Sequence, residues 1–456
     1  MLTRRCSDNL KYTKPEIKVC PPGPNSKAFI DRDNLVMSKS LTRSSELVAK
    51  TAHGVFVQDL DDNVYLDFGA GIAVAGVGHT HPKVVKAIKQ QAEQLIFINS
   101  LDYYSIPQVD YAEKLVQITP GNFKKRVFFA NSGSESVDGA IKCAKYYNRK
   151  QGRGGYNGIG FLGGFHGRTM GAVSFTTSSK GARKSFWPMY AGNVIVPYAD
   201  CYHCPFRQTY PDCGLYCMDY ITNVVFEKML DADDVGFFLL EPIQGAGGYI
   251  VPPTEWLQAI QKFANDNGIT LIVDEVQTGF ARTGEWFASQ HFGIVPDIMT
   301  VSKAIAAGLP CGAFISSAEM QDWWPGAHEG TLNGNPVVLA AANAVLDIMT
   351  EQNLRENAKI QGAYLKKRWI EFQESHPEVG DVRGVGLMVG VEFVKNQETR
   401  ESDPKLRNAL MEQAFKEGLM LLGAGKNSIR LCPPLIIKRK HIDMAMDIIE
   451  SAWKKI

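Results

Sequence analysis

The chain has 456 residues, 45% of them hydrophobic and 21% charged, with a formal net charge of +1. That length exceeds what a single simple core needs, so two or more lobes are expected. The near-neutral balance offers no electrostatic basis for nucleic acid or an anionic membrane as partner, and no apolar run is long enough to span a bilayer.

Met1 to Asp8 lack the apolar core of a secretory signal, so a cytoplasmic location is expected. Residues up to about position 35 are polar and include Cys20-Pro21-Pro22-Gly23-Pro24, which predicts an extended arm. Alternating strands follow from Gly54, with a hairpin signal at Asp61, Asp62 and Asn63. From about His81 to Ile348, apolar runs alternate with helical patterns, as in Gly158–Leu162, Val194–Pro197 and Gly236–Glu241. Such alternation predicts a mostly parallel sheet covered by helices. A long helix is expected after Pro336, and Leu387–Phe393 reads as a strand.

Three sequence features carry chemistry. The strand Lys125–Ala130 runs into Asn131-Ser132-Gly133-Ser134-Glu135 and then a helical pattern through Val137, Ala140 and Ile141. A strand, a glycine turn and a helix N-terminus form an anion site, to which the Ser134 hydroxyl adds a donor. The strand Leu271–Val273 ends in Asp274-Glu275-Val276-Gln277, and Asp297–Val301 ends in Ser302-Lys303. A lysine and an aspartate at the ends of two buried strands need partners. Pyridoxal phosphate uses both, the amine as a Schiff base and the carboxylate against the pyridine nitrogen. Ser134, Glu241, Asp274 and Lys303 each follow an apolar run, on the sheet edge where ligands bind in open α/β folds.

Nine cysteines are present, four of them bunched as Cys201, Cys204, Cys213 and Cys217, with His203 among them. Zinc, two disulfides and reduced surface thiols are all compatible with that spacing. Any role there is expected to be structural, and no catalytic metal is expected.

In order along the chain come Asp67-Phe68-Gly69-Ala70-Gly71-Ile72, Gly78-His79-Thr80-His81-Pro82, Asn131–Glu135 and Phe165-His166-Gly167-Arg168-Thr169. Glu241-Pro242-Ile243-Gln244-Gly245, Asp274–Gly279, the Lys303 segment, Gly334-Asn335-Pro336, Gly380–Gly384 and Ile429–Leu435 follow. With these motifs the chain resembles the class III (ω-amino acid) aminotransferases, closest to the branch of 4-aminobutyrate aminotransferases and archaeal amino-acid racemases. The resemblance implies the fold type I α/β architecture: a large domain with a mostly parallel seven-stranded sheet, and a small α+β domain built from both termini. The expected divisions are 1–80 for the arm and part of the small domain, 81–345 for the large domain with a Cys-rich insertion at 198–220, and 346–456 for the C-terminal small domain.

The resemblance also implies roles. Lys303, Asp274 and Glu241 are the expected catalytic residues. Gly133, Ser134, Phe165, His166, Gln277 and Thr331 join Lys303 and Asp274 around pyridoxal 5'-phosphate, with Gln277 at its phenolic oxygen. Thr331 is expected to reach the phosphate of a neighbouring subunit, which implies a homodimer or a dimer of dimers with shared active sites. Arg430 is expected to hold the α-carboxylate of the substrate and Arg168 the distal carboxylate, since a guanidinium fork stays charged and binds carboxylate in bidentate fashion. Glu241 is expected to pair with Arg430 in one half-reaction and move aside in the other. Ile72 stands where the 4-aminobutyrate branch carries isoleucine. The expected reaction is transfer of the amino group of a 4-aminobutyrate-like ω-amino acid to 2-oxoglutarate, with amino-acid racemisation on the same scaffold as the alternative. Ala246, Leu332 and Asn333 depart from the family pattern and bear on substrate identity.

Overall fold

The computed structural model describes residues 12–456. The first residues of the predicted arm, Met1 to Asp8 among them, lie outside it.

Seven strands form the central sheet, in the spatial order Lys125–Ala130, Gly312–Ser317, Ile298–Val301, Thr270–Asp274, Val235–Leu240, Asn157–Phe161 and Asn193–Val196. All pairings from Ile298–Val301 to Asn193–Val196 are parallel, while Gly312–Ser317 runs antiparallel to both of its neighbours. Val235–Leu240 and Thr270–Asp274 are buried at every position. Such continuously apolar strands are what a sheet covered on both faces requires. Their ends fix the site: Asp274 lies beside Thr300 and Leu240 beside Val273 in the parallel ladder. Glu241, Asp274 and Lys303 therefore emerge at one edge of the sheet.

Two smaller sheets flank this one. Ala49–His53, Phe56–Asp59 and Val64–Asp67 form an antiparallel set, and Leu419–Met420 adds in parallel to Val64–Asp67. Val379–Val385, Met388–Phe393, Ser428–Leu431 and Leu422–Ala424 form the other. The expected hairpin at Asp61–Asn63 is present, with Asp59 Oδ1 accepting the N–H groups of Asp61 and Asn63.

The extended-arm expectation requires correction, because Pro24–Val36 is a helix. Its first turn is capped from a distance: Asp61 Oδ1 and Oδ2 accept the N–H groups of Asn25 and Ser26, both at 2.8 Å. Pro24 suits the first helical position, where a missing N–H costs nothing. The remote cap and the proline outweigh the weak local propensity. Among the described residues, no helix is long and apolar enough to cross a membrane.

Candidate active site

Ser132, in extended conformation after the strand Lys125–Ala130, caps the helix Gly133–Lys150 by accepting the Glu135 N–H at 3.2 Å. The N–H groups of Gly133 and Ser134 keep no acceptor among the described residues, as expected for the first turn of a helix. Ser134 Oγ accepts the Arg168 N–H at 2.9 Å and so joins the loop 165–169 to this cradle. The approach demands glycine at position 167, where φ is +134° and a Cβ would stand 2.0 Å from Ser134 Oγ. A bare turn and free N–H groups at a helix start suit a phosphate.

Asp274 is 3% exposed and fully engaged. Its Oδ1 accepts from the Val276 N–H at 3.0 Å and the Thr300 hydroxyl at 3.1 Å, and its Oδ2 meets His166 Nδ1 at 2.8 Å. His166 is buried, and its Nε2 has no partner among the described residues. The His166 backbone is fixed by its own N–H, donated to Thr176 Oγ1 at 2.9 Å.

Lys303 follows the strand Ile298–Val301 with φ of +44°, a left-handed conformation that a non-glycine residue adopts at some cost. Its side chain is half-buried and makes no hydrogen bond or ion pair among the described residues. Burial pushes its amine below the usual lysine range, and Arg430 adds to that effect while Asp274 and Glu241 oppose it. A depressed amine pKa favours the neutral nucleophile.

Glu241 does not pair with Arg430 in this structure. Its Oε1 accepts the Phe165 N–H at 2.9 Å and its Oε2 the Gly245 N–H at 2.8 Å. Both carboxylate oxygens are thus taken by backbone N–H groups. Burial raises the Glu241 carboxyl to about 7, reinforced by Asp274 and opposed by His166 and the two N–H donors. The folded chain thus holds a proton that the unfolded chain has already lost. Stability from this group is complete below the ordinary glutamate range and is lost as pH rises through about 7. Glu241→Gln is expected to remove this term, worth roughly 3 kcal/mol between about pH 5 and about pH 8. Urea midpoints of wild type and variant across that window measure it; parallel pH profiles would refute the assignment.

Arg430, on the strand Ser428–Leu431, is half-buried, has no carboxylate partner among the described residues and leaves its Nε unsatisfied. Arg168 is exposed, with its guanidinium 5.5 Å from the centroid of the Phe165 ring and no acidic partner among the described residues. Gln277 is buried and accepts the Tyr249 hydroxyl at Oε1, 2.8 Å away. Ile72 is 38% exposed, in a left-handed stretch with Gly71 and Ala73. Thr331 is exposed, whereas the short turn Ala70–Ala73 that carries Ile72 packs against the turn Lys303–Ala306. The Thr331 loop is nonetheless tied to the cradle, since Asn131 Nδ2 donates to Asn333 Oδ1 at 2.8 Å.

Three supporting residues escaped sequence reasoning. Thr300 reaches Asp274 only through strand register, and Tyr249 lies in a glycine turn that reads as loop. Asn333 was noted as a departure without a function. The bunched cysteines carry no disulfide; their four side chains line one narrow cavity, and no three His, Cys, Asp or Glu side chains among the described residues stand at metal-holding spacing.

An unpartnered lysine amine, a buried aspartate fixed on its far side, an orphaned histidine nitrogen and a glycine-lined helix start define the class of enzyme that works with pyridoxal 5'-phosphate, and these residues fit that cofactor. Residues 37–453 match the family Aminotransferase class-III. The chain is 38% identical over 452 residues to the alanine/serine racemase of Pyrococcus horikoshii, covering 96% of this chain and 93% of that protein. It is also 38% identical over 431 residues to the probable 4-aminobutyrate aminotransferase of Bacillus subtilis, covering 93% and 96%. The ω-transaminase of Pseudomonas jessenii, solved in complex with PMP, superposes with a TM-score of 0.87 at 28% identity, covering 93% of this chain and 97% of that one. The chain belongs to the class III aminotransferases, and its cofactor is pyridoxal 5'-phosphate.

Proposed function

We propose that this protein transfers the amino group of a short ω-amino acid such as 4-aminobutyrate to 2-oxoglutarate, as a cytoplasmic homodimer. The observation that carries the reading is the pair of guanidinium groups without acidic partners among the described residues, Arg430 beside Lys303 and Arg168 at the edge of the cradle. Glutamate and 2-oxoglutarate bring two carboxylates to two such groups, and 4-aminobutyrate brings one. An unpaired guanidinium in a half-buried site favours a carboxylate guest.

Bound pyridoxal 5'-phosphate supplies the electron sink that makes the substrate's carbon acidic. Gly133 and Ser134 would hold its phosphate, with Thr331 of a second copy completing that cradle. Phe165 would flank the ring, Asp274 face its nitrogen and Gln277 its phenolic oxygen. His166, bonded to Asp274, keeps that carboxylate oriented. Lys303 Nζ would take the proton from the substrate's amine-bearing carbon and release it away from that carbon, the outcome that separates amino-group transfer from inversion. Arg430 orients the α-carboxylate and Arg168 the distal one. Glu241, free to leave its two N–H donors, neutralises Arg430 when the guest lacks an α-carboxylate. Ile72 shapes the entrance for an aliphatic chain.

Arg168→Ala is expected to weaken 4-aminobutyrate and glutamate alike, by about 1 kcal/mol at this exposed position. Arg430→Ala is expected to harm glutamate and 2-oxoglutarate far more than 4-aminobutyrate. KM and kcat for each substrate measure both. The similarity to the alanine/serine racemase supports a second reading, inversion of an α-amino acid. Loss of optical rotation from L-alanine or L-leucine without any oxo acid, dependent on Arg430 and indifferent to Arg168, would replace the first reading by the second.

A further inference from the structure

The turn after Glu241 is closed by the Gln244–Ile250 bridge and carries Tyr249 just before its closing residue. Tyr249 is fully buried with φ of +58°, a conformation that costs a side-chain-bearing residue. What holds it there is a fork: Arg383 donates through Nε to the carbonyls of Gly248 at 3.1 Å and Tyr249 at 3.2 Å, and through Nη2 to Gly248 again at 2.7 Å. Arg383 is itself held by Asp381 at 2.8 Å and Glu392 at 2.7 Å. Glu392 also takes His203 of the Cys-rich insertion, so the insertion braces the fork from outside.

Tyr249 meets the residue placed at the cofactor's phenolic oxygen. The Tyr249 hydroxyl donates to Gln277 Oε1 at 2.8 Å, and Gln277 Nε2 keeps no acceptor among the described residues. A carboxamide with its oxygen occupied can turn only its N–H groups elsewhere. Gly245 leaves room for that end, since a Cβ there would stand 2.2 Å from Nε2. The phenol's other neighbours are Cys432, Arg430 and Arg282.

We propose that Tyr249 is a positioning residue that fixes the Gln277 carboxamide with its N–H end toward the cofactor's phenolic oxygen, and that the Arg383 fork holds Tyr249 to that task. This rests on the placement of Gln277 given above. An N–H donor at the phenolic oxygen lowers that oxygen's hold on the neighbouring proton. Losing the donor moves the titration of the bound cofactor's visible band to higher pH.

The test is a double-mutant cycle on the holoenzyme, with the band's titration midpoint and the cofactor dissociation constant as readouts. Tyr249→Phe and Gln277→Ala are each expected to raise the midpoint, and the double variant to match Gln277→Ala alone. A Gln277→Ala midpoint equal to wild type would remove Gln277 from the cofactor and the proposal with it. A shift in Gln277→Ala but none in Tyr249→Phe would overturn the proposal alone, as would additive shifts in the double variant. Tyr249→Leu, also lacking the hydroxyl, takes the place of Tyr249→Phe should that variant fail to fold.

Discussion

Lys303→Ala is expected to leave almost no transamination. The amine of Lys303 has no competing partner among the described residues and is depressed by burial, so nothing nearby substitutes for it. Loss of its proton transfer alone is worth on the order of 10²–10⁴-fold in rate, and its covalent role adds to that. Substrate-dependent formation of glutamate measures the loss. In the wild type, borohydride is expected to fix the pyridoxyl group on the peptide containing Lys303; recovery on any other lysine would end this assignment.

Asp274→Asn is the second large effect. The substitution keeps size and one acceptor while removing a charge buried among His166, Thr300 and the Val276 N–H. Removing one member of a buried charged pair costs about 3–5 kcal/mol. With Asp274 facing the ring nitrogen, that cost falls on the transition state, and kcat/KM is expected to drop by about 10²–10⁴-fold. Dialysis should also strip the cofactor faster from the variant. An unchanged kcat/KM would place Asp274 in a structural role only.

Why the site was legible is visible in its positions. Asp274 and Lys303 end apolar runs, and a buried run ending in a charge marks a strand edge regardless of what pairs beside it. Ser134 was readable because a strand, a glycine and a helical period follow one another locally. The antiparallel strand Gly312–Ser317 carries no signal of direction, since it is buried almost throughout, like the parallel-paired strands Ile298–Val301 and Thr270–Asp274. What stayed hidden depends on contacts distant in sequence. The helix Pro24–Val36 takes its cap from Asp61, and His203 meets Glu392 across 189 positions. Thr300 supports Asp274 only because their strands align. Tyr249 sits among glycines, whose composition announces a turn and conceals a buried aromatic ring. Glu241 was placed correctly on the edge, but its two N–H donors follow from the folded course of two loops, which no local pattern encodes.

The parallel pairing of Leu419–Met420 with Val64–Asp67 bears on how the chain is made. The hairpin strands lie within residues 49–67, yet the strand that pairs with Leu66 and Asp67 lies about 350 positions further along the chain. Contacts of such long range are slow to close. Until then only the Glu16–Val64 bridge covers the edge of Val64–Asp67, and Leu66 and Asp67 present an edge of the kind on which misassembly begins. That sheet therefore stays unfinished until a distant segment is made, and the same segment carries Arg430 to the site, so edge protection and substrate recognition arrive together.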